Sequence, residues 1–199
     1  MPRIKTGLNS FKGSSKKYIL AVARQFFSEY SYLGTSMDDI AQKLNITKAA
    51  LYYHFKGKSE IYKHVLDEVW SDLRQTISRA IEQSSPQQKL STLIKSYLDF
   101  VSREKNLIKA LMVKVSPHDS QIINHIASIR EQIINLVQPI VAEALSASES
   151  AKKVDIRNLA SLLINMMEGL ILEYSFFNKK IDSEKISNLI MSAFLLNFS

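Results

Sequence analysis

Gly34-Thr-Ser-Met-Asp-Asp-Ile-Ala-Gln-Lys-Leu-Asn-Ile-Thr-Lys-Ala-Ala-Leu-Tyr-Tyr-His-Phe-Lys-Gly-Lys-Ser-Glu-Ile-Tyr62 reads as two short helices joined by a sharp turn. Ser36 is a good N-cap, Asp39 three residues on gives the weaker, aspartate form of a capping box, and Asp38 and Asp39 suit the positive end of a helix dipole. A helix is predicted from about Met37 to Leu44, with Ile40, Ala41 and Leu44 on one face and Ala41 small enough for a crossing helix to come close. Asn45 follows, and asparagine tolerates the left-handed conformation of a sharp turn better than other non-glycine residues. Thr47 can cap the next helix, in which Leu51 and Phe55 point inward while Lys48, Ala49, Tyr52, Tyr53 and Lys56 point out. The pattern is that of a DNA-binding helix-turn-helix.

The outward side chains have the chemistry a DNA groove requires. Lysine and tyrosine reach phosphates, and a small Ala49 lets the helix sit deep and meet a thymine methyl. Tyr52 lies four residues after Lys48, on the same face. Lys58 opens the following helix just after Gly57, where backbone N–H groups and the helix dipole favour a phosphate. The expected DNA set is Thr47, Lys48, Ala49, Tyr52, Tyr53, His54 and Lys58, with His54 either touching phosphate or holding the local turn through a hydrogen bond. Charge points the same way. Residues 1 to 58 hold ten Lys and Arg against three acids, whereas the rest of the chain holds sixteen of each, so the whole net charge of +7 sits on the segment with the motif.

These residues resemble the tetracycline-repressor-like (TetR) family of bacterial transcription regulators. The family signature stands here as Gly34, Ile40-Ala41, Leu51-Tyr52-Tyr53-His54-Phe55 and Lys58, over about residues 15 to 64. The usual Ala-Gly of the turn is Leu44-Asn45 in this chain. The resemblance implies an all-helical homodimer that pairs the last two helices of each subunit in a four-helix bundle.

Composition bounds the remainder. With 199 residues, 46% of them hydrophobic, the chain can bury a sizeable core, and five Gly and four Pro favour long helices. The absence of cysteine suits a cytoplasmic protein; no signal core or ~20-residue apolar span is present. His54, His64, His118 and His125 have no metal spacing, and no Gly-rich phosphate loop, GxSxG or paired-carboxylate motif appears. No enzyme, cofactor or metal site is expected.

The expected architecture is all-α with about nine helices: a basic arm and three-helix head at 1–58 and a helical body at 59–199 for ligand binding and dimerisation. A first helix spans about Ser15 to Ser31, and a long helix from Lys58 to about Gln83 carries Ile61, Val65, Val69, Leu73, Ile77 and Ile81 on one stripe. Further helices are read at Lys89 to Arg103, Asn106 to Val115, Asp119 to Leu145 with Pro139 kinking or breaking it, Val154 to Phe177, and Ser183 to Asn197. The last two are too apolar for one buried stripe, which makes Leu162, Met166, Gly169, Leu189 and Phe194 the expected dimer interface. Tyr97, Phe100, Met112, His125, Met166 and Tyr174 are the expected ligand contacts, with Leu111, Ile126 and Ile133 as further apolar candidates and Asn165 and Glu168 as further polar groups, although residues of these types are more often ordinary core.

The function expected is a dimeric, ligand-responsive transcription regulator, chiefly a repressor, that leaves a palindromic operator when a small, largely apolar effector binds. The alternative is a helical architectural or partner-controlled DNA-binding factor without a small ligand.

Overall fold

The computed structural model describes residues 15–82, 85–104, 106, 108, 119–177 and 179–196. Eight α-helices are formed among them: α1 (Ser15–Gly34), α2 (Met37–Lys43), α3 (Lys48–His54), α4 (Lys58–Ile81), α5 (Pro86–Arg103), α6 (Ser120–Ala144), α7 (Ile156–Phe176) and α8 (Ser183–Leu196). A short 3-10 turn, Ser150–Lys153, precedes α7, and no strand occurs among the described residues. The helix read at Asn106 to Val115 lies almost wholly outside them, and so do Leu111 and Met112.

The helix starts follow local chemistry. Ser36 accepts from the Asp39 amide while Asp39 accepts from the Ser36 amide, which closes the capping box of α2. Ser85 and Gln88 form a second box at α5 with Pro86 in the first turn, so α5 begins three residues before the expected Lys89. Asp119 caps α6 through the Ile122 amide, and Asp155 caps α7 through the amides of Arg157 and Asn158.

Two helices depart from expectation. α6 runs unbroken through Pro139, because Pro139 and the residue four back, Asn135, both face water, where solvent can serve the carbonyl that proline leaves without a donor. α1 extends to Gly34 across an internal break at Ser31, whose φ of 62° and ψ of 177° lie in a region almost reserved for glycine. Thr35 Oγ1 donates to the Ser31 carbonyl at 2.8 Å and holds the break.

α1 packs on α4 and α2, and α2 on α3, which makes the head; α4 continues into the body against α5 and α6. The head is built around Ala23, Phe27, Ile40, Leu51 and Phe55, each at most 1% exposed. α5 is the centre of the body, flanked by α4, α6, α7 and α8, with Leu90, Leu93, Ile94 and Leu98 fully buried. At roughly 25 cal/mol per Å2 of apolar surface removed from water, burying each such leucine or isoleucine contributes about 1.5–3 kcal/mol. The apolar core is continuous from Ile19 in α1 to Phe194 in α8.

Candidate nucleic-acid interface and effector cavity

The turn between α2 and α3 has the predicted backbone: Asn45 takes φ 54°, and the Ile46 amide reaches back to the Ala41 carbonyl at 3.0 Å. Thr47 Oγ1 accepts from the Ala50 amide at 3.1 Å and starts α3. Leu51 and Phe55 are buried under it, and this anchoring leaves Lys48, Ala49, Tyr52 and Tyr53 on the outer face, Tyr53 being 82% exposed. His54 is half-buried, with its ring edge-on to Tyr53 at 5.2 Å.

Lys48 Nζ pairs with Asp38 at 2.7 Å across the gap between α3 and the start of α2, and this contact raises the lysine pKa. The pair is exposed to solvent, so it is weak and open to exchange for a stronger anion. Beside it a cleft of about 380 Å3 opens between the end of α1 and the starts of α2 and α3, bordered by Thr35, Ser36, Asp38, Lys48, Tyr52 and Lys58.

Lys58 borders the same cleft and is also held within the head. Its ammonium donates to the carbonyls of Tyr32 and Thr35 at 2.7 and 2.8 Å and lies 4.3 Å from the centre of the Tyr32 ring. Burial pushes its pKa down, opposed by Asp119 and Asp39. The break at Ser31 lies just before these two carbonyls, one in the last turn of α1 and one in the link to α2. Arg24 is likewise turned away from the outer face, toward Asp72 of α4 at 3.3 Å and Glu104 at the end of α5 at 3.0 Å.

The same corner joins head to body. Tyr32 donates its hydroxyl to Asp119, the cap of α6, at 3.0 Å, and its pKa is raised to about 12 by burial first and by Asp119 second. Its ring packs against Tyr62 at 4.7 Å, and Tyr62 meets Phe27 edge-on at 4.9 Å.

In the body, a cavity of about 390 Å3 lies between α4, α5 and α6 with Glu168 of α7 at its edge. Of the expected ligand contacts and apolar candidates, Tyr97, Phe100, Ile126 and Ile133 line it. Glu168 lines it as well, whereas Asn165 only touches it indirectly, by accepting from Arg130. His125 does not line it: the ring lies on the surface, 2.8 Å from Asp67 of α4. Met166 is half-buried against the core, and Tyr174 sits near the end of α7 with Lys179 5.9 Å from its ring, so neither borders the cavity.

The sequence reading missed the α4 wall, Leu66, Val69, Trp70 and Leu73, because it gave α4 one buried stripe and the role of a connector. The signal was present: Leu66 and Trp70, four apart, add a second apolar line beside the first, more than a single packed face needs. Arg130 was missed too. It stands among Ile126, Ile129 and Ile133 on the apolar side of α6, and a cation in that setting calls for a partner, which Glu168 supplies at 2.8 Å.

The last two helices split the expected interface. Leu162 and Leu189 are 57% and 69% exposed, and a side chain at Gly169 would meet nothing within 4 Å. Phe176 and Phe177, not foreseen, extend the exposed apolar surface at the end of α7. Phe194 is a correction: it is 7% exposed and belongs to the core of its own subunit, since α8 packs on α5. No helix among the described residues is long and apolar enough to cross a membrane, and no group of three metal-ligating side chains occurs among them.

Comparison with known proteins agrees along the chain. Residues 19–65 match the family of bacterial regulatory proteins described as tetR, and residues 62–196 match the family described as the C-terminal region of YsiA-like proteins. The HTH-type transcriptional repressor DhaR of Mycobacterium sp. (strain GP1) is 24% identical over 90% of this chain and 92% of its own length. IcaR of Staphylococcus aureus, negative transcriptional regulator of the biofilm operon icaADBC, is 29% identical over 82% and 86% respectively. Among solved structures, the fatty acid degradation regulator FadR of Bacillus halodurans superposes with a TM-score of 0.79 at 15% identity, covering 91% of this chain and 94% of that one. FadR of Bacillus subtilis, solved in complex with stearoyl-CoA, gives 0.74 at 18% identity over 88% and 95%.

Proposed function

The chain belongs to the TetR family of bacterial transcription regulators, which are not enzymes, and from that premise we propose a repressor that binds a palindromic operator as a homodimer and releases it when a small, largely apolar effector enters the body. In this reading residues 1–58 are the DNA-binding domain and 59–199 the ligand-binding and dimerisation domain, and the protein works in the cytoplasm. Thr47, Lys48, Ala49, Tyr52, Tyr53 and His54 face the DNA. Lys58 is reassigned to holding the head on α4. The named relatives that are repressors support the sign of regulation, and the stearoyl-CoA carried by the Bacillus subtilis neighbour supports an apolar effector.

One observation carries the proposal: two of the helices that wall the cavity, α4 and α6, are tied to one corner of the head. α4 presents Leu66, Val69, Trp70 and Leu73 to the cavity, and its first residue, Lys58, grips the carbonyls of Tyr32 and Thr35. α6 presents Ile123, Ile126, Ile129, Arg130 and Ile133, and its cap, Asp119, accepts from Tyr32. A ligand that separates α4 from α6 therefore displaces both handholds on one corner of the head. Two heads held by a dimer then lose their match to successive major grooves. Leu162, Met166, Gly169 and Leu189, joined by Phe176 and Phe177, form the dimer surface of this reading; Gly169→Leu, at a position where an added Cβ meets nothing within 4 Å, should yield monomers in sedimentation.

The decisive experiment is selection of bound fragments from random DNA, followed by a screen for small molecules that raise the melting temperature and release the selected operator. Linkage requires that such an effector bind the DNA-bound protein more weakly by the same factor, about 5- to 150-fold. Ile133→Trp, which fills the cavity, should blunt release and spare operator binding. Binding to all DNA alike would favour the architectural alternative, and a stable wild-type monomer would remove the dimer.

A further inference from the structure

We infer that the body cavity selects an uncharged lipophile carrying one hydrogen-bond acceptor, and discriminates against carboxylates and ammonium ions; this rests on the cavity being the effector site. Among the described residues that line it, two carry formal charge, and they are opposite: Arg130 Nη1 donates to both carboxylate oxygens of Glu168, at 3.0 and 2.8 Å. Arg130 Nη2 donates to Asn165, so the guanidinium has its partners inside the protein. The indole N–H of Trp70 is committed as well, to Gln132 at 2.8 Å. The described wall therefore carries no net charge, and its Arg130–Glu168 and Trp70–Gln132 contacts are internal to the protein.

A charged ligand would leave water for an apolar wall with no free counterion. Recruiting Arg130 or Glu168 as a counterion would compete with their mutual contact in a half-buried site. A neutral ligand meets no such cost. The described lining residues include one hydroxyl, the phenol of Tyr97, 6% exposed. Burial above all, and the nearby Glu168 carboxylate, push its pKa up, so it stays a neutral donor suited to a carbonyl or hydroxyl oxygen. The volume of about 390 Å3 lies within the roughly 300–1,000 Å3 of ligand sites.

The protein carries its own reporter. Trp70 is the sole tryptophan of the chain and stands in the cavity wall, so its emission reads occupancy without DNA and without knowledge of the natural effector. The test titrates the full chain with 2-decanone, decanoate and decylammonium, each below its aggregation limit. The ketone is expected to change Trp70 emission with an affinity at least about tenfold tighter than either ion. Glu168→Gln, which strips Arg130 of its counter-charge, should move the ratio about tenfold toward decanoate, and Arg130→Gln should move it toward decylammonium. Tyr97→Phe should weaken the ketone several-fold. Tighter binding of either ion by the wild type, or an unchanged ratio in both charge variants, overturns the inference while leaving the cavity as the effector site. No Trp70 response to any of the three probes overturns the effector-site reading and this inference with it.

Discussion

The polar groups of the head and those of the body are arranged on different length scales. In the helix-turn-helix they close over three residues, Ser36 with Asp39 and Thr47 with Ala50, or stand outward as Tyr52 and Tyr53 do. In the body, beside local caps such as Ser85 with Gln88, side chains also meet far along the chain: Arg130 meets Glu168 across 38 positions and Trp70 meets Gln132 across 62. A surface meant for an external polyanion keeps its donors weakly held, as the exposed Lys48–Asp38 pair is, whereas a cavity wall neutralises its own charges. Between the two lies the Tyr32–Lys58–Asp119 corner, whose contacts are long-range but whose residues belong to both regions.

The largest expected effect separates the regions outright. Phe55→Ala empties a site 1% exposed at the base of α3 and should cost about 3–5 kcal/mol. Operator binding should vanish while Trp70 emission of the body stays native; a loss of both together would show that head and body are one cooperative unit.

Next comes the contrast between two lysines that sequence alone treats alike. Lys58→Met should lower stability by about 1.5–3 kcal/mol, through two carbonyls losing a charged donor, and leave the salt dependence of DNA binding unchanged. Lys48→Ala should leave the melting temperature in place, alter the selected operator sequence and reduce the slope of log affinity against log salt by about 1 per subunit. Equal effects of the two on the salt slope would erase the distinction.

Thr47→Ala should cost about 1 kcal/mol by removing the cap of α3, visible as a small fall in melting temperature and a larger fall in operator affinity.

The smallest effect probes the corner by pH. Tyr32 ionises at about 12 in the folded state against about 10 unfolded, so its contribution is complete below pH 10 and is lost as pH rises from about 10 to 12. Tyr32→Phe should therefore flatten the alkaline decline of stability measured by denaturant unfolding; an identical decline in the variant would place the effect on other tyrosines.

Helix existence was legible nearly throughout, since apolar spacing and caps are local signals. The stripe from Ile61 to Ile77 is buried as read, and the turn at Asn45 has the backbone its residue type implied. The break at Ser31 was not legible, because a serine has no preference for φ 62°; packing holds it there, at about 1–3 kcal/mol. Nor was the direction of Lys58, which sits in a motif position and was read as facing outward. Phe194 was read as interface because apolar periodicity marks a buried face without saying whether the burial is within one subunit or between two.

Sequence by itself determined the helix-turn-helix, its outward side chains and the all-helical class, because capping, turn conformation and 3.6-residue periodicity act within a few residues of one another. Tertiary structure alone decided which apolar residues wall a cavity rather than fill a core, that Arg130 and Glu168 cancel, and that Tyr32 clasps the cap of α6. Those depend on how helices far apart in sequence cross, and a crossing is set by the packing of all their faces together rather than by the pattern on any one.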